Sequence, residues 1–397
     1  MITNTPENIE KFNEYLENRS FCDIDIVDLM KYLAMKNGVK FKSTEAFEKL
    51  DQIINPKKNI LLLLIDGMGA YKVSNLSDDS LFRNNLRYAI KTVNPTSTAC
   101  VLSTIGSATY PVEHGVLGWW AYSKKLDINY YPLLFKERKT QVDLIEKCIK
   151  LDDIFKFDSI FDKFNKKANI YMKREYINSE FSLKFSGKKA NRYGFISIRD
   201  GFKKLEKNLN DVKESFNYMY IDGLDLNSHI YGPDSKEAMW VIKEVENEVA
   251  NLVKNKKDLT VIVVADHGQI EMTNMIYLNE KQNYLEYFYT LPSIDTRMIS
   301  FFVKKEYLQI FKEEFLKEFG EDVILITKEE ALEYNLFGNS FPSNSFVDAI
   351  GEYIAIIVNN KFMVCDKITY DDILTTKGNH SGLTKQETTI PLVVIGS

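Results

Sequence analysis

The stretch NILLLLIDGMG, residues 59–69, decides the fold class. Its aliphatic run at 60–65 has no polar face, so it reads as a strand buried on both sides. Asp66-Gly67-Met68-Gly69 then closes it with a tight turn. The same grammar returns at FNYMYIDG (216–223), LTVIVVADHG (259–268) and IPLVVIG (390–396). Between the second and third of these four stretches the spacing predicts a helix. Pro233 precedes Asp234 as the expected N-cap, Glu237 completes a capping box, and Ala238, Val241, Val245, Val249 and Leu252 form one apolar stripe. Buried strands alternating with amphipathic helices give an α/β protein with a doubly wound, mostly parallel sheet.

Outward from this core the pattern weakens. Residues 1–56 are polar with helical stretches such as IVDLMKYLAMKNG, where Gly38 reads as a stop, and are expected to form a helical N-terminal extension. Residues 121–195, rich in Lys, Tyr, Phe and Asn, read as a cap-like excursion over the sheet. Residues 298–336 run strand, helix, strand, helix and read as a small inserted α/β subdomain. The catalytic core is then 57–297 and 337–397.

The chain has 397 residues, 45% of them hydrophobic and 27% charged, which excludes disordered and collagen-like classes. Lys and Arg number 51 against 56 Asp and Glu, so the net charge of -5 offers no general attraction for nucleic acid or anionic membrane. The run at 60–65 is far short of the roughly 20 apolar residues that span a bilayer. The polar start MITNTPENIEKFNEYL does not read as a signal peptide. Cys22, Cys100, Cys148 and Cys365 are scattered, with no CxxC pair, as suits reduced thiols. A cytoplasmic protein without nucleic-acid or membrane partners is the expectation.

Three of the four histidines lie beside carboxylates or glycines in loops that follow strands. Asp225 and His229 are spaced i,i+4, so one helical turn presents both to one ion. Asp266-His267 follows the strand LTVIVVA (259–265), Asp66 takes the equivalent place after the first strand, and His380 sits in KGNHSG. Each piece alone reads equally as a turn or a cap. Together, at the carboxyl ends of strands where open sheets bind ligands, they point to metal. Nitrogen and carboxylate donors without cysteine favour zinc, with manganese and iron as alternatives. A second constellation, TVNPTSTACVLSTIGSATYPVEHGVLG (92–118), sets Thr96, Ser97 and Thr98 before an apolar helical run. Such hydroxyls are ordinarily caps. One at a helix N-terminus beside a metal is also placed to attack phosphorus.

These motifs, in this order, resemble the nucleotide pyrophosphatase/phosphodiesterase family of the alkaline phosphatase superfamily. The segments that carry the resemblance are LLLLIDGMG, the Pro-Thr-Ser-Thr to His-Gly block, Asp225-x3-His229 with YGPDS, Ala265-Asp266-His267-Gly268, and Gly378-Asn379-His380-Ser381-Gly382. The resemblance implies a hydrolase with two divalent metal ions, zinc preferred. Asp66, Thr98, Asp266 and His267 would hold one, and Asp225, His229 and His380 the other, with Thr98 as nucleophile. His114 matches a motif residue that is not a ligand and is expected to fix its loop by a hydrogen bond. The implied substrate is a small-molecule phosphoric ester, a nucleotide among the candidates.

One departure stands out. Where nucleotide-cleaving members carry an asparagine shortly after His-Gly, this chain has Trp119 and Trp120, read as packed residues or, for Trp119, as a substrate contact. Arg297 reads as a surface ion pair or a phosphate contact. Rival readings are a phosphomonoesterase or phosphonate hydrolase on the same metals, and a metal-binding protein without activity. The Lys clusters at 188–189 and 254–257 read as solvated faces or helix ends.

Overall fold

The computed structural model describes residues 3–20, 23–366 and 376–396. Cys22 lies outside them. Among the described residues the central sheet has seven strands: β1 (Asn59–Ile65), β2 (Leu86–Lys91), β3 (Ala168–Lys173), β4 (Asn191–Phe195), β5 (Ser215–Ile221), β6 (Leu259–Val264) and β7 (Thr389–Ile395). Their order is β2-β7-β6-β1-β5-β3-β4. β1 lies parallel between β5 and β6, with Leu62 opposite Tyr218 and Ile262. Residues 60–65 are all fully buried, as a strand without a polar face requires. Removing one such leucine from water is worth about 2 kcal/mol, so the run fixes β1 at the centre.

β7 is antiparallel to both β2 and β6, while the other strands share one direction. The carboxyl ends of β1, β2, β5 and β6 and the start of β7 therefore meet on one edge. The helix Lys236–Asn255 packs its predicted stripe inward. Its N-cap is Ser235 and not Asp234: the Ser235 hydroxyl accepts from the Ala238 amide, while Asp234 lies 3.3 Å from the buried Lys72 ammonium.

Three sequence expectations change. Of 121–195, only the first part is an excursion, built on a small sheet of Ala121–Ser123, Ile128–Tyr131 and Lys136–Glu137. β3 and β4 extend the central sheet instead. β4, half-exposed at the edge, lacks the apolar run that marks a central strand. The small subdomain is also larger than 298–336. Its sheet orders Ser293–Ile294, Met298–Phe301, Tyr353–Ile357 and Val323–Thr327, so a strand placed in the core by sequence sits inside it. Ile354 and Ile356 face one apolar cluster and Tyr353, Ala355 and Ile357 another. Finally, 1–56 is no appended extension. The helices Ile26–Lys36 and Glu45–Ile54 belong to the main core. The helix Pro6–Ser20 docks on the small sheet, where Asn8 Nδ2 donates to the carbonyls of Gly320 (2.8 Å) and Val323 (3.0 Å). No helix among the described residues is long and apolar enough to cross a membrane.

Candidate active site

The strand edge collects the residues singled out by sequence. Asp66 leaves β1 with its amide still donating to Ile221 of β5 (2.9 Å). Gly67 then turns with φ +74°, and a Cβ there would stand 3.3 Å from Asp225, so glycine lets the turn pass close to that carboxylate. Asp225 and His229 project from the helix Gly223–Tyr231 that follows β5. Asp266 and His267 leave β6. His380 follows Gly378–Asn379, which pairs antiparallel with Ile270–Glu271.

Two groups result, each with its ligand atoms within 4.8 Å of one another: Asp66, Asp266 and His267, and Asp225, His229 and His380. In the first, His267 Nε2 lies 3.3 Å from Asp266 Oδ2, 3.5 Å from Asp66 Oδ1 and 3.2 Å from Thr98 Oγ1. In the second, Asp225 lies 3.4 Å from His229 Nε2 and 3.7 Å from His380 Nε2. The His267 and His380 rings stack at 3.7 Å and bring the groups side by side.

Hydrogen bonding settles which nitrogen faces inward. Nδ1 of His229 donates to the Gly378 carbonyl (2.7 Å), that of His380 to Thr96 (2.7 Å) and that of His267 to Gly268 (3.1 Å). In the neutral rings all three Nε2 lone pairs then face the two groups; burial lowers His229, but the adjacent Asp225 carboxylate outweighs it and raises its pKa. His114 has the opposite arrangement. Its Nδ1 accepts from the Val116 amide (3.1 Å) and its Nε2 donates to Thr104 Oγ1 (3.0 Å), which ties the loop to the helix Thr98–Ser107.

Asp66 Oδ1 and Asp266 Oδ2 are buried without any hydrogen-bond partner among the described residues. Their other oxygens are satisfied, by the Tyr220 hydroxyl for Asp66 and by the amides of Gly67 (3.1 Å) and His267 (2.9 Å) for Asp266. Burial and the neighbouring Asp266 and Asp225 charges push Asp66 well above the usual carboxylate range, and burial pushes Asp266 up to about 6. Burial lowers His267 and His380 to about 4, leaving them neutral. Buried acceptors that converge with no donor between them fit a cation, because otherwise their desolvation is uncompensated.

Thr98 opens the helix Thr98–Ser107 and is half-buried, facing these groups. The Ser97 hydroxyl does not cap that helix and donates instead to Asp295 Oδ2 (2.9 Å). Thr96 is fully buried with its hydroxyl committed to the Gly382 carbonyl (2.9 Å). Only Thr98 combines access with proximity. A cavity of about 300 Å³ opens beside it, lined among others by Trp119, His229, Asp295 and His380.

The two tryptophans part company. Trp119 is 37% exposed on the cavity wall, its ring edge-on to Tyr131, whereas Trp120 is buried under the Arg138 guanidinium. Arg297 does form an ion pair, but in the interior rather than at the surface, and the phosphate-contact reading is corrected. It is fully buried, its Nε donates to Glu387 Oε1 (2.8 Å), its Nη2 to Glu387 Oε2 (3.2 Å) and its Nη1 to the Asn359 carbonyl (2.7 Å). It is neither at the surface nor free to contact a phosphate. Sequence reasoning missed Tyr220, Gln269 and Asp295. Tyr220 lies on β5 and Gln269 just after Asp-His-Gly, so nearness to a motif was their only signal; Asp295 had none.

His114 offers a test by pH. Burial lowers it to about 3, so the folded protein keeps it neutral where the unfolded chain, with a pKa of about 6.5, takes up a proton. Stability is therefore lost as pH falls below about 6, by roughly 1.4 kcal/mol per unit for this group. His114→Gln should flatten the urea-unfolding profile between pH 6 and 4 by that slope while leaving metal content unchanged. An unchanged slope would contradict the neutral, buried assignment.

Residues 60–383 match the family model described as type I phosphodiesterase / nucleotide pyrophosphatase. No curated protein sequence matches the chain. Among solved structures, murine ectonucleotide pyrophosphatase/phosphodiesterase 5 is similar at a TM-score of 0.63 and 15% identity, over 84% of this chain and 87% of that one. The human protein of the same name gives a TM-score of 0.63 and 15% identity, over 85% and 87%. An inactive threonine-to-alanine variant of the murine protein, in complex with AMP, gives 0.64 at 15% identity over the same shares. With the family match spanning most of its length, the chain belongs to the type I phosphodiesterase / nucleotide pyrophosphatase family and is a hydrolase of phosphoric esters.

Proposed function

We propose that the protein is a two-cation phosphodiesterase that works through a phospho-threonine intermediate on Thr98. The observation that carries this reading is the position of Thr98 Oγ1, 3.2 Å from His267 Nε2, at a helix N-terminus beside two groups of converging carboxylate and imidazole side chains. Asp66, Thr98, Asp266 and His267 would hold one divalent cation and Asp225, His229 and His380 the other, with zinc preferred for this donor set. Bound there, the cations supply Lewis-acid charge that lowers the pKa of a hydroxyl or water and offsets charge on phosphoryl oxygens.

The chain's own residues do the rest. In the first displacement the Thr98 Oγ1–phosphorus bond forms, the bond from phosphorus to the departing oxygen breaks, and the threonine proton passes by way of solvent to that oxygen, which leaves as the alcohol. In the second, water attacks phosphorus, the bond to Oγ1 breaks, and Thr98 regains its proton. The amides and dipole of the first turn of Thr98–Ser107 favour the negative group held there. Freshly purified protein should carry two zinc ions per chain, lose activity to a chelator and regain it with metal. Metal-free protein that stays fully active would refute the assignment.

The diester preference rests on the wall. No Lys or Arg lines the cavity among the described residues, while Trp119 and Trp120 do. A monoester dianion calls for a positive clamp; a diester calls for room to bury its second substituent. On a diester and a monoester bearing the same chromophore, kcat/KM should favour the diester. A clear preference for the dianion would make the enzyme a monoesterase on the same platform. Because a murine relative is recorded with AMP, nucleotide diesters are the first substrates to assay.

A further inference from the structure

Gln269 is fully buried three residues after Asp266, outside both donor groups. Its Nε2 donates to the Asp225 carboxylate through Oδ1 and reaches the Asp225 carbonyl at 3.3 Å. The amide orientation follows from the chemistry, since the alternative would set its oxygen against an ionised carboxylate. Its Oε1 is then left buried with no partner among the described residues, an arrangement that costs about 1–3 kcal/mol. The backbone around it is fixed on both sides. The Tyr71 hydroxyl donates to its carbonyl (2.9 Å), and the next two residues, Ile270 and Glu271, pair with Asn379 and Gly378. Gln269 thus bridges the segment that carries Asp266 and His267, the helix that carries Asp225 and His229, and, through the next two residues, the short strand that precedes His380.

We infer that Gln269 is a positioning residue for the second cation group. By holding Oδ1, it fixes the rotamer of Asp225 so that Oδ2 stays turned to His229, 3.4 Å away. Asp225 is the only carboxylate of that group, so its orientation decides whether the two imidazole lone pairs and the carboxylate converge. The first group holds its carboxylates differently, through Tyr220 and backbone amides, and has no bond to Gln269 among the described residues. Loss of the Gln269 donor should therefore act on one cation and spare the other.

This inference rests on the two-cation reading, and the test separates the two. Gln269→Met keeps the length and apolar stem of the side chain and removes the donor. Metal-free wild type and variant are titrated with zinc against a chromophoric chelator, and their thermal midpoints without metal are compared. The two-cation reading requires two binding events in the wild type, and their absence would overturn both statements. Given two events, the variant should weaken one by roughly 10–100-fold and leave the other within about threefold, with the metal-free midpoint little changed. The weakened event should be the one that His229→Ala removes. Two unchanged constants, or two equally weakened ones with a lowered metal-free midpoint, would overturn the positioning role while leaving the two-cation reading intact.

Discussion

Thr98→Ala is expected to lower kcat by at least about three powers of ten without unfolding the protein. Thr98 is half-buried and, among the described residues, its hydroxyl is within reach only of the His267 ring, so its loss opens no core cavity. Thr98→Ser keeps the oxygen and should keep much of the rate. Thr96→Ala provides the contrast. The Thr96 hydroxyl donates to Gly382 in a fully buried setting, so its loss should cost about 1–2 kcal/mol of stability and far less activity. Equal losses in Thr98→Ala and Thr96→Ala, or a dead Thr96→Ala beside an active Thr98→Ala, would put the nucleophile on the wrong residue. The comparison is read from single-turnover rates with metal content measured on the same samples.

The second large effect is on stability. Arg297 and Glu387 form an ion pair with both side chains fully buried, and each carries further bonds. Glu387 also accepts from the amides of Gly382 (2.8 Å) and Thr384 (3.1 Å), while the Arg297 amide donates to Ser381 Oγ (3.1 Å). Burial pushes Glu387 up, but the adjacent guanidinium and these donors outweigh it and keep its carboxyl below the usual range. Removing one partner strands a charge in a dry interior, which costs about 3–5 kcal/mol. Arg297→Ala should lose that much in urea unfolding, a large share of the 5–15 kcal/mol of a typical domain. The double replacement Arg297→Met with Glu387→Leu should lose less than either single change. A loss for Arg297→Ala below about 1 kcal/mol would mean that the pair behaves as a surface pair. Because the Ser381–Thr384 loop follows His380, the single variants should also weaken zinc binding.

How much of this was legible in the sequence depended on whether the physics was local. β1, β5, β6 and β7 announced themselves because a strand buried on both faces must be continuously apolar. Asp66, Asp225, His229, Asp266, His267 and His380 could be picked out because the chain's few histidines sit next to carboxylates or glycines just past those strands. β4 was hidden because an edge strand needs no such run, and β3, though paired on both sides, because Asn169 and Lys173 interrupt its apolar pattern. The strand Tyr353–Ile357 was read as core because its partners, Met298–Phe301 and Val323–Thr327, lie far away in the chain. Arg297 was misplaced for the same reason: its carboxylate partner is 90 positions away, and nothing beside it signals burial. Asp234 lost the N-cap to Ser235 because a distant lysine, Lys72, competes for it.

The central claim is covalent, and it is tested most directly by catching the enzyme in the act. The metal-loaded protein is mixed with a chromogenic phosphodiester, quenched in acid within the first turnovers, digested and mapped by mass spectrometry. The expected result is an adduct on Thr98 of the phosphoryl group with its unreleased substituent, formed as the first alcohol appears and absent from Thr98→Ala. Full release of that alcohol with Thr98 unmodified at every quench time, or an adduct on another residue, would contradict it.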